Sequence, residues 1–296
     1  MKTILLLTDF SKKAEHAAEY TFHLASRVKA DILLYHAYTV TETTSLKEKL
    51  SSMLEELFSI EDESKKKIKA LAHYLNKKTE EINPGDHKPS IKYLCKPGNV
   101  GNLGSTVKKI LTDKKIWMIA MGAKTDDCLS NFIFGTNAYS VISNTTCPVL
   151  FIPIQASIKD LKRIAIATDL QYPELSPLSF LKDFKKAYDL EIVLAHVSVD
   201  SPVETSSGTG LVEVCMYDVR ANIEYPKIPY TDIKEKEIHA ELQQFSLKSE
   251  IDVLGVIHRK EDVFQRLFHS STTKLLIDSA QLPLLVFPVS MKKISD

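Results

Sequence analysis

Short apolar runs alternate along the chain with stretches in which apolar residues recur every three or four positions. In the first half the apolar runs cover residues 4–7, 31–36, 90–95, 116–121 and 148–152. Each run has the length of a strand that is buried on both faces of a sheet. The stretches with helical spacing cover residues 14–28, 46–78, 100–111 and 137–143. Strands that alternate with helices indicate βαβ units and a mostly parallel sheet.

Two local signals refine the helices. Ser11 stands where its side chain can cap the first helix. The long second helical stretch is expected to be interrupted near residues 59–63. Three lysines at 65–67 follow Glu61 and Glu63, which indicates a solvated helix face with ion-pair support.

The second half of the chain repeats the first. The repeated segments are 2–10 and 162–170, 31–36 and 191–196, both at an offset of 160, and 147–153 and 282–288 at an offset of 135. The repeat predicts two tandem domains at residues 1–155 and 160–290. Each is expected to be a doubly wound, five-stranded parallel sheet between layers of helices, which is an α/β fold.

The middle of the second half differs more from its counterpart. Ser176 and Pro177 predict a helix start, as N-cap and first helical residue. The elements predicted after them are a strand at 223–228, a helix at 233–245 and a strand at 252–257. Between this helix and the strand at 223–228, the segment Ser201–Gly210 is rich in Ser, Thr and Gly, which predicts a mobile loop.

Composition and charge narrow the classes of function. The chain has 38 Lys and Arg against 38 Asp and Glu, so no overall charge attracts it to nucleic acid or to an anionic membrane. Its four cysteines contain no CxxC pair, which disfavours a disulfide framework and a zinc site. No apolar segment has the length of a signal-peptide core or a membrane span. We therefore expect a cytoplasmic protein that binds neither nucleic acid nor membrane and holds no metal of its own.

The ends of the first and fourth strands are where a ligand site is expected, because open parallel sheets bind ligands where the strand order reverses. The residues at this edge are Thr8, Asp9 and Phe10, then Met121 and Gly122, then Gly135, Thr136 and Asn137 at a helix start. A glycine before a helix lets backbone N–H groups approach a phosphate. The Thr136 hydroxyl can bind a phosphate oxygen or Mg²⁺, and Asp9 can accept hydrogen bonds from a ribose. An ordinary turn and helix cap would show the same pattern.

Together with the tandem halves and the closing segment 147–150, these residues resemble the universal stress protein family over essentially the whole chain. The resemblance implies an adenine nucleotide alpha hydrolase-like, Rossmann-like fold. It also implies ATP binding through a signature of Gly, two residues, Gly, nine residues, Gly, then Ser or Thr. Gly122, Gly135 and Thr136 match this signature, while Thr125 replaces its second glycine.

The replacement at Thr125 and the nucleoside end of the site need separate treatment. A β-branched residue fits poorly beside a phosphate, although the Thr125 hydroxyl and the adjacent Lys124 can both bind phosphate oxygens. The resemblance places adenine and ribose against Asp9 and against the end of the second strand. The residues there are His36, Ala37 and Tyr38. We interpret His36 as a residue that shapes the crevice, since no nucleophile or carboxylate can be placed beside it from the sequence.

The second half lacks the glycine signature. At the offset of 135, Ile257, Lys260, Ser270 and Ser271 occupy the four signature positions. Side chains at these positions keep the backbone away from a phosphate, so this half is expected not to bind ATP in the family's manner. Basic residues around the same loop can hold another anion or simply form a solvated surface.

The resemblance implies a cytoplasmic stress-response protein whose first domain binds ATP, with Mg²⁺, in a regulatory role without turnover. The alternative is a nucleotide-free scaffold that acts through protein-protein contacts. At most weak ATP hydrolysis is expected, because no general base can be named. Family members commonly pair through the last strand, so residues 148–152 and 283–287 are expected to meet in an intrachain pseudo-dimer, with a homodimer as a further step.

Overall fold

The structure, a computed structural model, describes most of the first half of the chain and the strands of the second half. The described residues are 1–39, 50–98, 103–123, 136–168, 175–198, 230–234, 245, 248–258, 282–288 and 291. They belong to two compact units, of which one takes residues up to 123 together with 136–145 and the other begins at Thr146. The predicted limits 1–155 and 160–290 concern the sequence repeat and stay a prediction.

The first unit contains a parallel sheet whose strand order is β3, β2, β1, β4. Its described elements are β1 Lys2–Leu7, α1 Lys12–Val28, β2 Ala30–Thr39, α2 Leu50–Glu80, β3 Ile91–Gly98, α3 Leu103–Asp113, β4 Met118–Gly122 and α4 Thr136–Asn144. Ile4, Leu5 and Leu6 of the central strand β1 are fully buried, which explains why this strand is a continuous apolar run. The predicted α/β class with a mostly parallel sheet is confirmed.

Local signals place the start of α1 correctly and the course of α2 wrongly. The Ser11 hydroxyl oxygen accepts a hydrogen bond from the Ala14 N–H at 3.3 Å, so the predicted N-cap is confirmed. The predicted interruption near residues 59–63 is wrong, because α2 is one helix of 31 residues from Leu50 to Glu80.

Two features keep α2 continuous. On one face Ser64, Ile68, Ala72 and Leu75 are buried at helical spacing. On the exposed face each of three acidic residues pairs with the lysine four positions later. These pairs are Glu61–Lys65, Asp62–Lys66 at 2.6 Å and Glu63–Lys67 at 2.6 Å. An acid placed four residues before a base stabilises a helix, so the ion-pair support predicted for this face is confirmed.

Two tyrosines of β2 show that this sheet is covered on both faces. Tyr35 and Tyr38 are an odd number of positions apart, so their side chains point to opposite faces. The Tyr38 hydroxyl bonds to Glu61 of α2. The Tyr35 hydroxyl lies beside Thr106 of α3. Helices α2 and α3 therefore lie on opposite sides of β2.

Helix α1 lies beside α2 on one face of the sheet, and helix α4 lies beside α3 on the other face. On the α2 side, Tyr74 and Lys78 both contact Glu19 of α1, the lysine at 3.1 Å. On the α3 side, the Gly104 N–H donates to the Ser140 hydroxyl of α4 at 3.1 Å. The first unit thus has two helices on each face of its sheet, which is the doubly wound arrangement.

The second unit has a sheet in the order β5, β10, β9, β6, β7, β8. Its described elements are β5 Val149–Ile152, β6 Arg163–Thr168, α5 Leu175–Ala187, β7 Glu191–Ser198, β8 Tyr230–Lys234, β9 Val253–His258 and β10 Leu284–Pro288. Five of these strands are parallel to one another. β5 is antiparallel to β10, with Phe151 opposite Leu284 and Val149 opposite Val286. This pairing explains why β5 belongs to the second compact unit.

The predicted start of a helix at Ile233 is wrong, and positions 235–244 of that helix lie outside the described residues. Ile233 lies in β8, which is paired in parallel with β7 so that Leu194 is opposite Tyr230. Pairing with the sheet decides the conformation here over local helical spacing. The strand predicted at 223–228 and the loop predicted at 201–210 lie outside the described residues.

The predicted roles of Ser176 and Pro177 as N-cap and first helical residue are also wrong. Both residues lie inside α5, which begins at Leu175. Proline is accepted in this first turn because the first N–H groups of a helix have no partner within it.

The strand registers follow the offsets of the sequence repeat. In the first unit Ile4 lies opposite Met118, and in the second unit Ile164 lies opposite Val253. The central strands β1 and β6 are therefore offset by 160 positions, and their neighbours β4 and β9 by 135 positions. These are the offsets of the sequence repeat. The two units share one pairing scheme around their central strands.

The residue that leads into the fourth strand of each repeat differs in chemistry. The Trp117 N–H donates to the Thr3 carbonyl, and the Asp252 N–H donates to the Arg163 carbonyl, both at 2.8 Å. The Trp117 side chain is buried, with the ammonium of Lys2 5.1 Å from its ring centre. The same backbone position thus carries an aromatic ring in one repeat and a carboxylate in the other.

Asp252 is a buried carboxylate that ties the segment before β6 to the start of β9. Its Oδ2 accepts the N–H groups of Lys162 at 2.7 Å and Arg163 at 2.9 Å. Its Oδ1 lies 2.6 Å from Nζ of Lys159. A buried charge is stable only when it is hydrogen-bonded and paired in this way.

The end of β4 approaches the first turn of α1 very closely. A Cβ on Gly122 would lie 3.0 Å from the Lys13 carbonyl oxygen and 3.3 Å from the Ala14 nitrogen. These are backbone atoms that cannot rotate away. Packing within the first unit therefore favours glycine at this position.

The hydrogen bonds that the buried Asp252 carboxylate accepts predict a specific loss of stability. Asp252→Ala should lower the free energy of unfolding by about 2–4 kcal/mol, since it removes the oxygen that accepts both backbone N–H groups. Lys159 is 58% exposed, so the control Lys159→Met should cost less than about 1 kcal/mol. Urea unfolding of the full chain measures both. Equal losses would contradict the view that the backbone bonds dominate.

The approach of β4 to α1 predicts a second loss of stability. Gly122→Ala should lower the free energy of unfolding by about 1–3 kcal/mol without any nucleotide present, because the added methyl group forces α1 and β4 apart. Urea unfolding measures this change as well. An unchanged stability would show that α1 yields freely, against the packing described above.

Candidate functional site

The strand order of the first unit reverses beside β1, as the sequence predicts. Tyr35 of β2 and Met121 of β4 both lie opposite the last residue of β1, on its two edges. The chain positions that follow are Thr8, His36 and Gly122, so these residues meet at the carboxyl edge of the sheet. This edge is where a crevice forms in open parallel sheets.

The turn that leaves β1 is fixed by its own side chains. The Phe10 N–H donates to the Thr8 hydroxyl at 3.1 Å. The Ser11 N–H and hydroxyl both donate to Oδ1 of Asp9, at 3.0 and 2.6 Å. Asp9 is exposed, and the turn does not need its second oxygen, so that oxygen can accept a hydrogen bond from a ligand. Asp followed two residues later by Ser is a turn signal that the sequence analysis did not use.

Phe10 and His36 meet at the top of this turn. Phe10 has a left-handed backbone with φ 61°, a conformation that costs a residue with a side chain roughly 1–2 kcal/mol. Its ring centre lies 4.3 Å from that of His36, with the two planes tilted by 41°. The His36 Nδ1 lies 2.8 Å from the Thr8 carbonyl oxygen. A carbonyl can only accept, so Nδ1 donates in this bond.

Tyr38, which is predicted to lie at the nucleotide site, packs its side chain against α2. The side chain is buried and bonds to Glu61, which also pairs with Lys65. Burial and then the Glu61 carboxylate raise the pKa of the Tyr38 hydroxyl. Burial also raises the pKa of the Cys95 thiol, on the β3 residue opposite His36. These neighbours cannot be predicted from the sequence, because only the position of α2 brings them together.

The other predicted site residues are described to different extents. Ala37 and Met121 are half-buried near the ends of β2 and β4, and Asn137 is exposed in the first turn of α4. Thr136 is the first residue of that helix, whose first N–H groups have no partner within the helix. Lys124, Thr125 and Gly135 lie outside the described residues.

The presence of a glycine at position 122 has a structural explanation that does not involve a ligand. The close approach to Lys13 favours a glycine whether or not a phosphate binds nearby. In the second half Ile257 stands at the equivalent position near the end of β9. Of the other second-half signature positions, Lys260, Ser270 and Ser271 lie outside the described residues.

Two further observations bear on the kind of site. Within the described ranges, no three His, Cys, Asp or Glu side chains come together as a metal site. None of the helices in this part of the chain is both long enough and apolar enough to cross a membrane.

Comparison with known proteins gives a sequence relationship for the first half. The profile of the Universal stress protein family matches residues 1–153. No curated protein matches the chain significantly in sequence.

Solved structures resemble the fold over nearly the whole chain. A universal stress protein from Archaeoglobus fulgidus DSM 4304 has a TM-score of 0.64 at 15% identity, over 97% of this chain and 98% of that one. A Pseudomonas aeruginosa UCBPP-PA14 protein assigned to the same family has a TM-score of 0.58 at 12% identity, over 97% and 93%. A functionally unknown protein from Pseudomonas aeruginosa PAO1 has a TM-score of 0.57 at 11% identity, over 97% and 92%. These likenesses show the fold. Because the family profile covers 153 of 296 residues, this chain belongs to the universal stress protein family.

Proposed function

We propose that this chain is a stress-response protein whose first half binds ATP in a regulatory role without turnover. The observation that carries the proposal is the meeting of Thr8, His36 and Gly122 where the strand order reverses. Asp9 adds a carboxylate oxygen that its own turn does not use. Membership of the universal stress protein family supports the same reading.

The phosphate end of the ligand would depend on the start of α4 and the loop before it. Gly135 and Thr136 stand directly before and at the first residue of this helix. Free N–H groups and the helix dipole favour an anion there. Lys124 and Thr125 would add a positive charge and a hydroxyl. Mg²⁺, when bound with the nucleotide, would take the Thr136 hydroxyl and phosphate oxygens as ligands.

The second half would act as a degenerate partner that does not bind ATP in this way. Its backbone keeps the strand pairing of the first half, as the register of Ile164 with Val253 shows. Its chemistry differs, because Ile257 replaces Gly122 and Ser270 replaces Gly135. A side chain at each of these positions restricts the approach of a phosphate to the backbone.

The assembly that we propose rests on the last strands of the two repeats. The antiparallel pairing of β5 with β10 supports an intrachain pseudo-dimer in which each strand covers the other's edge. Two such chains would associate as a homodimer. We also propose a cytoplasmic location. The balance of 38 basic and 38 acidic residues gives no overall attraction to nucleic acid or to an anionic membrane, which supports a protein with neither partner.

Two other functions are alternatives to regulatory ATP binding. In the first, both halves are nucleotide-free and the protein is a scaffold that acts through protein-protein contacts. In the second, the first half hydrolyses ATP slowly. The second has little support, because no described side chain at the crevice is placed as a general base toward an attacking water.

Calorimetric titration of the full chain with ATP and Mg²⁺ tests the proposal. We expect saturable binding of one nucleotide per chain, because only the first half keeps the glycines beside the crevice. No heat at millimolar nucleotide would favour the scaffold instead.

A matched pair of substitutions tests the inequality of the halves. Gly135→Val should weaken ATP binding at least about 100-fold, since a β-branched side chain blocks the backbone approach. Ser270→Val, at the equivalent position, should leave the affinity unchanged. The same titration measures both, and an equal loss in both variants would show that the halves are functionally alike.

Phosphate release separates binding from turnover. With ATP and Mg²⁺ in excess, the full chain should release phosphate no faster than the buffer control, because no described side chain at the crevice is placed to activate a water. Release above background that is lost in Asp9→Asn would instead support an enzyme.

A further inference from the structure

His36 makes two contacts that converge on one turn. Its Nδ1 donates to the Thr8 carbonyl at 2.8 Å, from β2 to the end of β1. Its ring also lies against Phe10, at 4.3 Å between ring centres. Thr8 and Phe10 flank Asp9 in the chain, so both contacts act on the backbone that carries the Asp9 carboxylate.

The turn needs this support because one of its residues is in an unfavourable conformation. Phe10 has φ 61°, and a bulky residue keeps such a backbone only where its surroundings determine it. Within the turn, the Phe10 N–H donates to the Thr8 hydroxyl and Ser11 donates to the Asp9 carboxylate. From outside the turn, the Thr8 N–H donates to the Tyr35 carbonyl at 3.0 Å, and His36 of the same strand adds side-chain contacts to Thr8 and Phe10.

The bond to Thr8 also determines the hydrogen positions of the His36 ring. The carbonyl oxygen offers no hydrogen, so Nδ1 carries one. In the neutral ring Nε2 then has no hydrogen and can only accept. The ring would otherwise be free to place its hydrogen on either nitrogen.

We infer that His36 is a positioning residue for the nucleotide site. Through the Thr8 carbonyl and the Phe10 ring it holds Phe10 in its left-handed conformation and so presents Asp9 to the ligand before the ligand arrives. This inference rests on the proposed function, because it assigns to His36 a part in ATP affinity. A preformed turn removes an ordering cost that binding would otherwise have to offset.

Nitrogen NMR of the ring tests the geometry without any nucleotide. In the uniformly ¹⁵N-labelled full chain, the His36 signals are those that disappear in His36→Asn, among the nine histidines. In the neutral ring, we expect a protonated Nδ1 and an unprotonated Nε2. The opposite pattern would overturn the inference, because Nδ1 would then carry no hydrogen for Thr8.

Two amide substitutions test the positioning role. The side-chain nitrogen of Asn can occupy the place of Nδ1 and donate to Thr8, whereas Gln carries the same group one carbon further out. We expect His36→Gln to weaken ATP binding about tenfold, the effect of one lost hydrogen bond. His36→Asn should stay within about threefold of the parent chain. An equal loss in both variants would overturn the role of the Thr8 bond.

Hydrogen exchange separates failure of this inference from failure of the proposed function. The Phe10 and Ser11 amides are bonded within the turn, so their exchange reports its stability. Without nucleotide, we expect about tenfold faster exchange in His36→Gln and little change in His36→Asn. If the parent chain does not bind ATP, the proposed function fails while this result still decides whether His36 holds the turn. Equal exchange in all three proteins would overturn the inference.

Discussion

The strand Lys2–Leu7 is hydrogen-bonded to a neighbour along each edge, and its apolar side chains are buried. A chain that leaves such a strand has no free edge to follow, so it must turn at the carboxyl end and start a helix on one face. Here the turn uses Phe10 in a left-handed conformation and Ser11 as the helix cap. The neighbouring strand ends in Gly122, whose lack of a side chain lets that helix come close. The position of the candidate site thus follows from pairing one buried strand along both of its edges.

The repeat keeps this constraint and varies the chemistry around it. The central strands and their neighbours have the same register in both units, at the offsets of the sequence repeat. Side chains that do not set the register have diverged. Trp117 has its counterpart in Asp252, which bonds the segment before the central strand, and Gly122 has its counterpart in Ile257. Backbone pairing is thus separable from the side-chain chemistry at the same positions.

The sequence predicted what depends on strong local patterns and missed what depends on distant contacts. Apolar runs and the repeat led to the strands, the parallel sheet and the point of reversal. The ion pairs that begin at Glu61 were visible, but the continuity of the helix also needed the buried stripe beneath it. Ile233 was placed in a helix because its pairing with the neighbouring strand cannot be read locally. The burial of Tyr38 under α2 and the contact of Gly122 with Lys13 join elements far apart in the chain, so residue type alone could not predict them.

The account requires that an adenine nucleotide occupies one half of the chain and not the other. Photoaffinity labelling of the intact protein with an azido-adenine analogue of ATP, followed by peptide mapping, locates the nucleotide directly. The account predicts label within residues 1–153, on peptides around Thr8–Phe10 or His36, that excess ATP removes. Label confined to residues 160–290, or label that ATP does not displace, would contradict it.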